Sequence, residues 1–163
     1  MLKYFQRGGM LFMDKFMRRA VELAVENVNS GGQPFGAVLV KDGEVVSEGV
    51  NELHIKHDVS GHAELLAIRR AQEQLQTNDL SGFIMYASGA PCAMCYSAMM
   101  FAGIEKAYYC ATLENAKAVG LGKSATIYEE LHKPADDRTF QMCHMEIEEG
   151  MSNPMELWKK RNY

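Results

Sequence analysis

The stretch FIMYASGAPCAMCYSAMMFAGIEKAYYCA, residues 83–111, contains a complete strand–helix–strand pattern. FIMYAS and KAYYCA each have the length and apolar composition of a buried strand. The segment CAMCYSAMMFA between them has the composition of a helix, with Pro91 suited to its first position and Gly103 to its end. Two strands joined through a helix by short links run parallel with a right-handed crossover. The stretch therefore predicts a parallel strand pair with a helix packed on it.

Two cysteines mark the start of this helix, because Cys92 and Cys95 are one turn apart on the same face. A thiol at a helix N-terminus meets the positive end of the helix dipole and exposed amide donors, which lower its pKa and favour metal binding. Ligands of such sheets bind beyond the carboxyl ends of the strands, where the helices begin. We therefore expect the functional site at this end of the sheet.

The motif His62-Ala63-Glu64 supplies the other half of the predicted site. HAELLAIRRAQEQLQ is rich in good helix formers and follows Ser60-Gly61, which places His62 and Glu64 in a first helical turn. One imidazole and two thiolates leave a zinc ion with an open fourth position, as in catalytic sites. Zinc brings the pKa of a water bound there to roughly 7, and Glu64 is near enough to carry the proton.

Two other interpretations of these residues compete with a catalytic zinc site. A lone CxxC pair is often a thioredoxin-like redox motif, but such a motif needs no His-Ala-Glu upstream. A closed structural zinc site needs a fourth ligand of equal standing. The candidates for that ligand are Cys110, Cys143, His54 and His57. A closed site therefore stays as an alternative at this point.

The remaining chain predicts a mixed sheet between helices. Asp14 is expected to cap a helix over residues 15–28, and Asp42-Gly43 to be the turn of a hairpin formed by FGAVLVK and EVVSEGVN. Beyond residue 111 the sequence predicts helices over 114–119, over 125–133 and from Pro154, and a last strand in MCHMEIEE. This order indicates an α/β fold, a three-layer α/β/α sandwich with a mixed, mainly five-stranded sheet.

The length of 163 residues suits a single domain with one core. We expect residues 1–12 to be a flexible N-terminal extension and residues 13–163 to form one zinc-dependent domain. Its last part, about 151–163, is an amphipathic tail with Trp158, the only tryptophan, near its centre. Such a tail must bury its apolar face against another surface.

Composition and charge argue against several partners. The net charge of -4 and the pI near 5.7 are unlike those of proteins that neutralise phosphates, so a nucleic-acid partner is not expected. The sequence has no apolar run of about 18 residues, and its first residues do not form a convincing signal peptide. Four cysteines in a chain of this length do not indicate a disulfide framework. We expect a cytoplasmic protein without a membrane partner.

Residues 13–163 resemble the cytidine deaminase superfamily, and within it the bacterial guanine deaminases more than the tRNA adenosine deaminases. The broad resemblance rests on H-x-E with P-C-x-x-C, the signature of zinc nucleobase deaminases. The narrower one rests on PFGAVLVKDG, Asn51, IYEELHKPADDRT and a tail with Trp, basic residues and a final Tyr. It implies one zinc ion (Zn2+) per chain held by His62, Cys92 and Cys95, with Glu64 as the catalytic acid and base.

The resemblance also implies how a small-molecule heterocyclic base is bound. Asn51 matches a residue that hydrogen-bonds the base, and Phe35 matches an aromatic residue that packs on it. By the same analogy, backbone amides near Gly36-Ala37 and Ala63 hold the polar edge of the base. The tail, ending in Tyr163, completes the pocket of a homodimer and is exchanged between subunits in guanine deaminases. Taken alone, Asn51 also fits a strand-end residue bonded to its own backbone, and Phe35 a core residue.

Two positions depart from the family pattern. Ala90 precedes Pro91 where the family usually has glutamate, and Gly122-Lys123 stands where guanine deaminases carry acidic residues, one of them in the active site. Lysine cannot accept the hydrogen bonds that an aspartate accepts from a purine amino group. If this loop reaches the pocket, Lys123 favours rings that present carbonyl oxygens or an ionised nitrogen.

These features predict zinc-dependent hydrolytic deamination of an amino-substituted nucleobase, with the conversion of guanine to xanthine and ammonia as the leading case. Cytosine, pterins and triazines are alternative substrates of the same kind of enzyme. A tRNA adenosine deaminase acting on a flipped base is a further alternative, which the acidic charge and the tail disfavour. The last alternative is a catalytically inactive zinc-binding module, which has no use for Glu64.

Overall fold

The computed structural model describes residues 6–7, 10–11 and 13–163, with side chains from residue 13 onward. The chain divides into two compact units, the first up to Glu129 and the second from Glu130 to Tyr163. The extension predicted for residues 1–12 lies outside the described residues, apart from β1 (Gln6–Arg7) and β2 (Met10–Leu11), which pair antiparallel. Its flexibility therefore stays a prediction.

The first unit is built on a mixed sheet of four strands, β3 (Gly36–Lys41), β4 (Glu44–Val50), β5 (Ile84–Gly89) and β6 (Lys106–Ala111). They lie in the order β4-β3-β5-β6, with β3 antiparallel to both neighbours and β5 parallel to β6. β3 and β4 join through Asp42 and Gly43, whose φ angles of 50° and 80° fit the positive-φ turn that matches strand twist. The predicted hairpin and the parallel crossover are both confirmed.

The α-helices of the described residues are α1 (Lys15–Asn29), α2 (Ala63–Leu75), α3 (Ala93–Phe101), α4 (Leu113–Ala118), α5 (Lys123–His132) and α6 (Pro154–Asn162). Asp14 caps α1 as predicted, because its side chain accepts hydrogen bonds from the backbone N–H groups of the first turn. Pro91 was predicted at the first position of α3, but the helix begins two positions later at Ala93, since Cys92 is its N-cap and Pro91 precedes the cap. No helix in the described part of the chain is long and apolar enough to cross a membrane.

Helices cover both faces of the sheet. On one face α1 packs over the strands, and the core residues there are Met17, Ala20, Leu23, Val38, Val40 and Tyr86. On the other face α2 and α3 pack over the strands, and that core includes Ala37, Leu39, Ala67, Ile68, Met85 and Met99. Successive residues of β3 alternate between the two cores, as the period of a strand requires. The predicted three-layer α/β/α sandwich is confirmed.

The sheet has four strands in the described residues, so the prediction of a mainly five-stranded sheet is wrong. The missing strand is MCHMEIEE, residues 142–149, which forms no strand. A strand is stabilised by pairing with a neighbour and by burial of alternate side chains. Every side chain of this segment is exposed. Its Met and Ile content resembles that of a strand, but it has no buried face to stabilise one.

The second unit contains the end of α5, a 3-10 turn over Ala135–Asp137 and helix α6. The Asn153 side chain caps α6, and Pro154 takes its first position as predicted. Nearly all side chains of this unit are exposed, with Trp158 at 64% and Tyr163 at 99%. The apolar face of the tail therefore finds no burial inside its own unit.

Candidate active site

Three side chains from two helix starts converge into one cluster. His62 is the N-cap residue of α2, Cys92 is the N-cap residue of α3, and Cys95 lies in the first turn of α3. The two sulfurs are 3.5 Å apart, and His62 Nδ1 lies 3.5 Å from Cys92 Sγ and 3.6 Å from Cys95 Sγ. In the part of the chain that the structure describes, this is the one group of three such side chains placed to hold a metal ion.

The geometry of the cluster fits zinc. Bonds of about 2.3 Å to sulfur and about 2.0 Å to nitrogen, at tetrahedral angles, put two sulfurs about 3.8 Å apart and a sulfur and a nitrogen about 3.5 Å apart. The observed separations of 3.5, 3.5 and 3.6 Å agree with these values to a few tenths of an ångström. The fourth ligands considered for a closed site, Cys110, Cys143, His54 and His57, are not in the cluster. The donor set is therefore that of an open zinc site.

Packing of the two helix starts, rather than capping, sets the positions of these side chains. An N-cap side chain usually turns back onto the N–H groups of its own helix, yet neither His62 nor Cys92 does so. Gly49 allows α2 to begin against β4, because a Cβ there would lie 2.1 Å from a backbone oxygen of the first turn. Tyr128 Oη of α5 donates to Pro91 O at 2.9 Å and so holds the start of α3.

Glu64 lies directly beside the cluster. Its side chain is buried, and its Oε2 atom lies 3.5 Å from Cys95 Sγ. Burial raises the pKa of the Glu64 carboxyl. The hydrogen bond between the two thiols lowers the pKa of Cys92 and raises that of Cys95, while the hydrogen bond to Cys92 raises the pKa of His62. A buried carboxyl with a raised pKa beside a metal cluster is suited to carrying a proton.

A cavity of about 480 Å³ opens beside the cluster, with His62, Glu64 and Cys92 in its wall. Sites for small molecules have volumes of about 300 to 1,000 Å³. The rest of the wall comprises Gln33, Phe35, Asn51, Leu53, Val59, Gly89, Ala90, Met94, Ala111, Thr112, Leu113, Ala116, Gly120, Leu121, Lys123, Ser124 and Ile127. Most of these side chains are apolar or small, which suits the faces of a planar ring.

Asn51 and Phe35 lie on the cavity wall, and each also has a structural role. Asn51 is 1% exposed, its Oδ1 accepts from the backbone N–H of Leu53, and its Nδ2 donates to Gln33 Oε1, both at 3.2 Å. Phe35 is half-buried and packs against the core under α2. Binding of a base by Asn51 and stacking on Phe35 therefore stay predictions that the placement supports.

The other predicted substrate contacts differ in their placement. Lys123, the first residue of α5, lies on the cavity wall. Gly36 and Ala37 do not, because the Gly36 N–H donates to Ser88 Oγ at 3.0 Å and Ala37 is fully buried between its neighbouring strands. Ala63 is 1% exposed and is also not part of the wall. Binding of a base by backbone amides near Gly36, Ala37 and Ala63 therefore stays a prediction, and this placement does not support it.

Sequence reasoning missed part of the cavity wall. The missed residues include Gln33, Thr112, Leu113, Leu121 and Ile127. The apolar ones lie in α4, in α5 and in the loop between them, and nothing in their residue types distinguishes them from core residues. Gln33 had a weak signal, as a polar residue directly before Pro34-Phe35. Tyr163 belongs to the second unit, and its role stays a prediction.

The fold and the site define a zinc-binding α/β sandwich, and comparison with known families agrees. Residues 10–111 match the family described as the cytidine and deoxycytidylate deaminase zinc-binding region. This range includes His62, Glu64, Cys92 and Cys95. The chain belongs to this family.

Individual relatives narrow the comparison. Guanine deaminase of Bacillus subtilis is 40% identical over 90% of this chain and 93% of its own length. Its X-ray structure matches with a TM-score of 0.81 at 39% identity, covering 91% of this chain and 95% of that chain. A tRNA-specific adenosine deaminase of Aquifex aeolicus is 30% identical over 89% of this chain and 93% of its own length. The predicted resemblance to the superfamily, including its guanine deaminases, is confirmed.

Proposed function

We propose that this chain is a zinc-dependent deaminase of free nucleobases that converts guanine and water to xanthine and ammonia. One observation carries the proposal, namely that the buried carboxyl of Glu64 lies beside the cluster of His62, Cys92 and Cys95 on the wall of a small cavity. A closed structural site has no use for that carboxyl, and a redox pair has none for the imidazole. The similarity to Bacillus subtilis guanine deaminase, 40% over 90% of the chain, supports guanine as the substrate.

The three metal-binding residues and Glu64 have separate roles in the proposed reaction. His62, Cys92 and Cys95 hold the zinc ion, which when bound lowers the pKa of a water to roughly 7 and so supplies a nucleophile at neutral pH. Glu64 takes one proton of the water and delivers it to the ring nitrogen next to the amine-bearing carbon, while the water oxygen bonds to that carbon. Glu64 then takes the second proton from the added hydroxyl and gives it to the amine, which leaves as ammonia as the carbon–nitrogen bond breaks and the oxo group forms. General acid–base catalysis of this kind contributes about 10² to 10⁴ in rate.

An ammonia-release assay over several rings tests the proposed reaction. The panel contains guanine, adenine, cytosine, a pterin and a triazine, with a single-stranded RNA as the polymeric substrate. We expect guanine to react fastest and the RNA to give no release, since a net charge of -4 disfavours phosphate binding. Release from RNA adenosine alone would contradict a free-base deaminase.

Lys123→Asp is expected to shift substrate preference toward guanine. The residue lies on the cavity wall, where its ammonium group donates hydrogen bonds and accepts none. An aspartate there would accept from the N–H groups of guanine, which is worth about 1 to 3 kcal/mol for one buried partner. The ratio of kcat/KM for guanine to that for the next best ring measures the shift.

Lys117→Asp is the matched control, because it makes the same charge change on α4 outside the cavity wall. Its substrate preference should equal that of the wild type. An unchanged preference in Lys123→Asp as well would show that Lys123 takes no part in choosing the ring.

We propose further that residues 13–163 form one deaminase domain whose tail, about 151–163, caps the active site of a homodimer by exchange between subunits. The exposure of Met155, Leu157 and Trp158, at 73%, 48% and 64%, supports this proposal, because apolar surface of this kind indicates a partner. Light scattering should therefore give twice the chain mass of 18.3 kDa. The cytoplasm is the proposed compartment, since it keeps Cys92 and Cys95 reduced for metal binding.

Deletion of residues 154–163 is expected to raise KM or to abolish turnover while one zinc ion per chain remains bound. In the intact protein the tail is expected to exclude water from the cavity and to restrict the cavity to small rings, and the deletion removes both effects. Steady-state kinetics and metal analysis of the same preparation measure the two effects separately. A truncated enzyme with unchanged kinetics would assign the tail to packing alone.

A further inference from the structure

A chain of hydrogen bonds on the cavity wall determines which way two side-chain amides face. The backbone N–H of Leu53 donates to Asn51 Oδ1 at 3.2 Å. A backbone N–H can only donate, so oxygen must be the Asn51 atom on that side and nitrogen the atom on the other. Asn51 Nδ2 in turn donates to Gln33 Oε1 at 3.2 Å. The oxygen of Gln33 is therefore turned toward Asn51.

This orientation leaves the amide nitrogen of Gln33 as a free donor. Within residues 13–163, Gln33 Nε2 has no hydrogen-bond partner, whereas every buried side-chain nitrogen and oxygen has one. The Gln33 Nε2 atom is therefore accessible rather than sealed in the core. Because Gln33 and Asn51 both lie on the cavity wall, they offer N–H donors to whatever occupies the cavity.

A buried asparagine, Asn27, fixes the backbone of both Gln33 and Asn51 by hydrogen bonds. Asn27 of α1 is 6% exposed, and its Nδ2 atom donates to Gln33 O at 2.8 Å and to Asn51 O at 2.9 Å. The backbone N–H of Asn51 also donates to Phe35 O at 3.1 Å. The segment that contains Gln33 is therefore hydrogen-bonded both to α1 and to Asn51 at the end of β4. These bonds give the Gln33 side chain a defined position.

Donors dominate the charged and amide groups of the wall outside the metal cluster. Lys123 adds a cation that accepts no hydrogen bond, and Glu64 is the wall's carboxylate and belongs to the proton transfers. An amino group on the substrate's far edge would therefore meet other N–H groups. A carbonyl oxygen or an unprotonated ring nitrogen would instead find partners.

We infer that Gln33 is a specificity-determining residue whose amide N–H groups bind a carbonyl oxygen or ring nitrogen of the substrate. The cavity thereby selects oxo-substituted rings over rings that carry an amine at the same place. The inference rests on the proposed function, since guanine has an oxo group besides the amine it loses. In adenine an amine replaces that oxo group. The amine and the Gln33 amide are both donors, so bound adenine would leave each of them buried without an acceptor, which disfavours binding.

Binding of unreactive or slowly reacting rings tests the inference separately from turnover. Hypoxanthine carries the oxo group and has no exocyclic amine, and adenine carries an amine at that position. Isothermal titration calorimetry of the zinc-loaded wild type should show hypoxanthine binding at least about 10-fold tighter than adenine.

Two variants of Gln33 distinguish loss of the donor from a general effect of charge. Gln33→Glu keeps an oxygen for Asn51 but removes the donor, so hypoxanthine should bind about 10- to 100-fold more weakly while adenine binds no more weakly than before. Gln33→Met removes the donor without adding charge and should weaken hypoxanthine alone. Zinc content and circular dichroism of each variant confirm the fold.

The control is Gln74→Glu, which makes the same change at an exposed position of α2 outside the cavity wall. It should leave both affinities unchanged. Equal losses for both rings in the Gln33 variants, an unchanged preference, or no binding of hypoxanthine by the wild type would overturn the inference. A wild type that prefers hypoxanthine but does not deaminate guanine would instead reject the proposed function and leave the role of Gln33 standing.

Discussion

Glu64→Gln is expected to retain one zinc ion per chain and to lower kcat for deamination by about 10² to 10⁴. Glutamine has nearly the same shape and fits the buried position, but its amide can neither take the proton of a water nor protonate a departing amine. The loss should fall on kcat more than on KM, because both proton transfers belong to the chemical step. Steady-state kinetics and metal analysis of one sample measure the two quantities.

Glu73→Gln is the matched control, since Glu73 is exposed on the same helix and lies outside the cavity wall. It should have wild-type kinetics. Turnover of Glu64→Gln close to that of the wild type would remove Glu64 from the mechanism. Loss of the metal in that variant would instead make Glu64 a ligand.

Cys92→Ala and Cys95→Ala are each expected to abolish tight zinc binding and, with it, turnover. Either change removes one of three protein ligands, whereas loss of an outer hydrogen-bond partner of a ligand already costs about 10- to 100-fold in metal affinity. The melting temperature should fall as well, because an ion that binds only the folded chain stabilises it. Metal analysis after dialysis and thermal unfolding measure the two effects.

Cys110→Ala is the control, because it also removes a thiol, but one that is exposed on β6 and lies outside the metal cluster. It should keep its zinc and its melting temperature. If Cys92→Ala and Cys95→Ala both kept a full equivalent of tightly bound zinc, the metal site would have to lie elsewhere in the chain.

The cluster could be predicted because its geometry follows from local spacing and from one topological rule. Cys92 and Cys95 lie together through the period of a helix, and His62 and Glu64 lie together because they are two residues apart at a helix start. β4 and β5 both run antiparallel to β3 and therefore point the same way, so the helices that follow them, α2 and α3, begin at the same edge of the sheet and bring the two pairs into contact. The strands of residues 83–111 were equally clear, because both are short apolar runs bounded by a helix with recognisable ends.

Features that depend on distant packing could not be predicted in this way. MCHMEIEE has the composition of a strand, and only the absence of a buried face shows that it is not one. The amide of Gly36 was expected at a base, but it bonds to Ser88, which lies far away in sequence. The role of Gln33 depends on hydrogen bonds that it accepts from Asn51 and Asn27, and no local pattern encodes such contacts.

The most direct test of the central claim is the formation of xanthine from guanine by protein whose zinc content is varied. Purified chain with one zinc ion should produce xanthine and ammonia in equal amounts, lose this activity on chelation and regain it in proportion to the zinc returned. Fully zinc-loaded protein that leaves guanine unchanged, or activity that survives complete removal of the metal, would contradict the account.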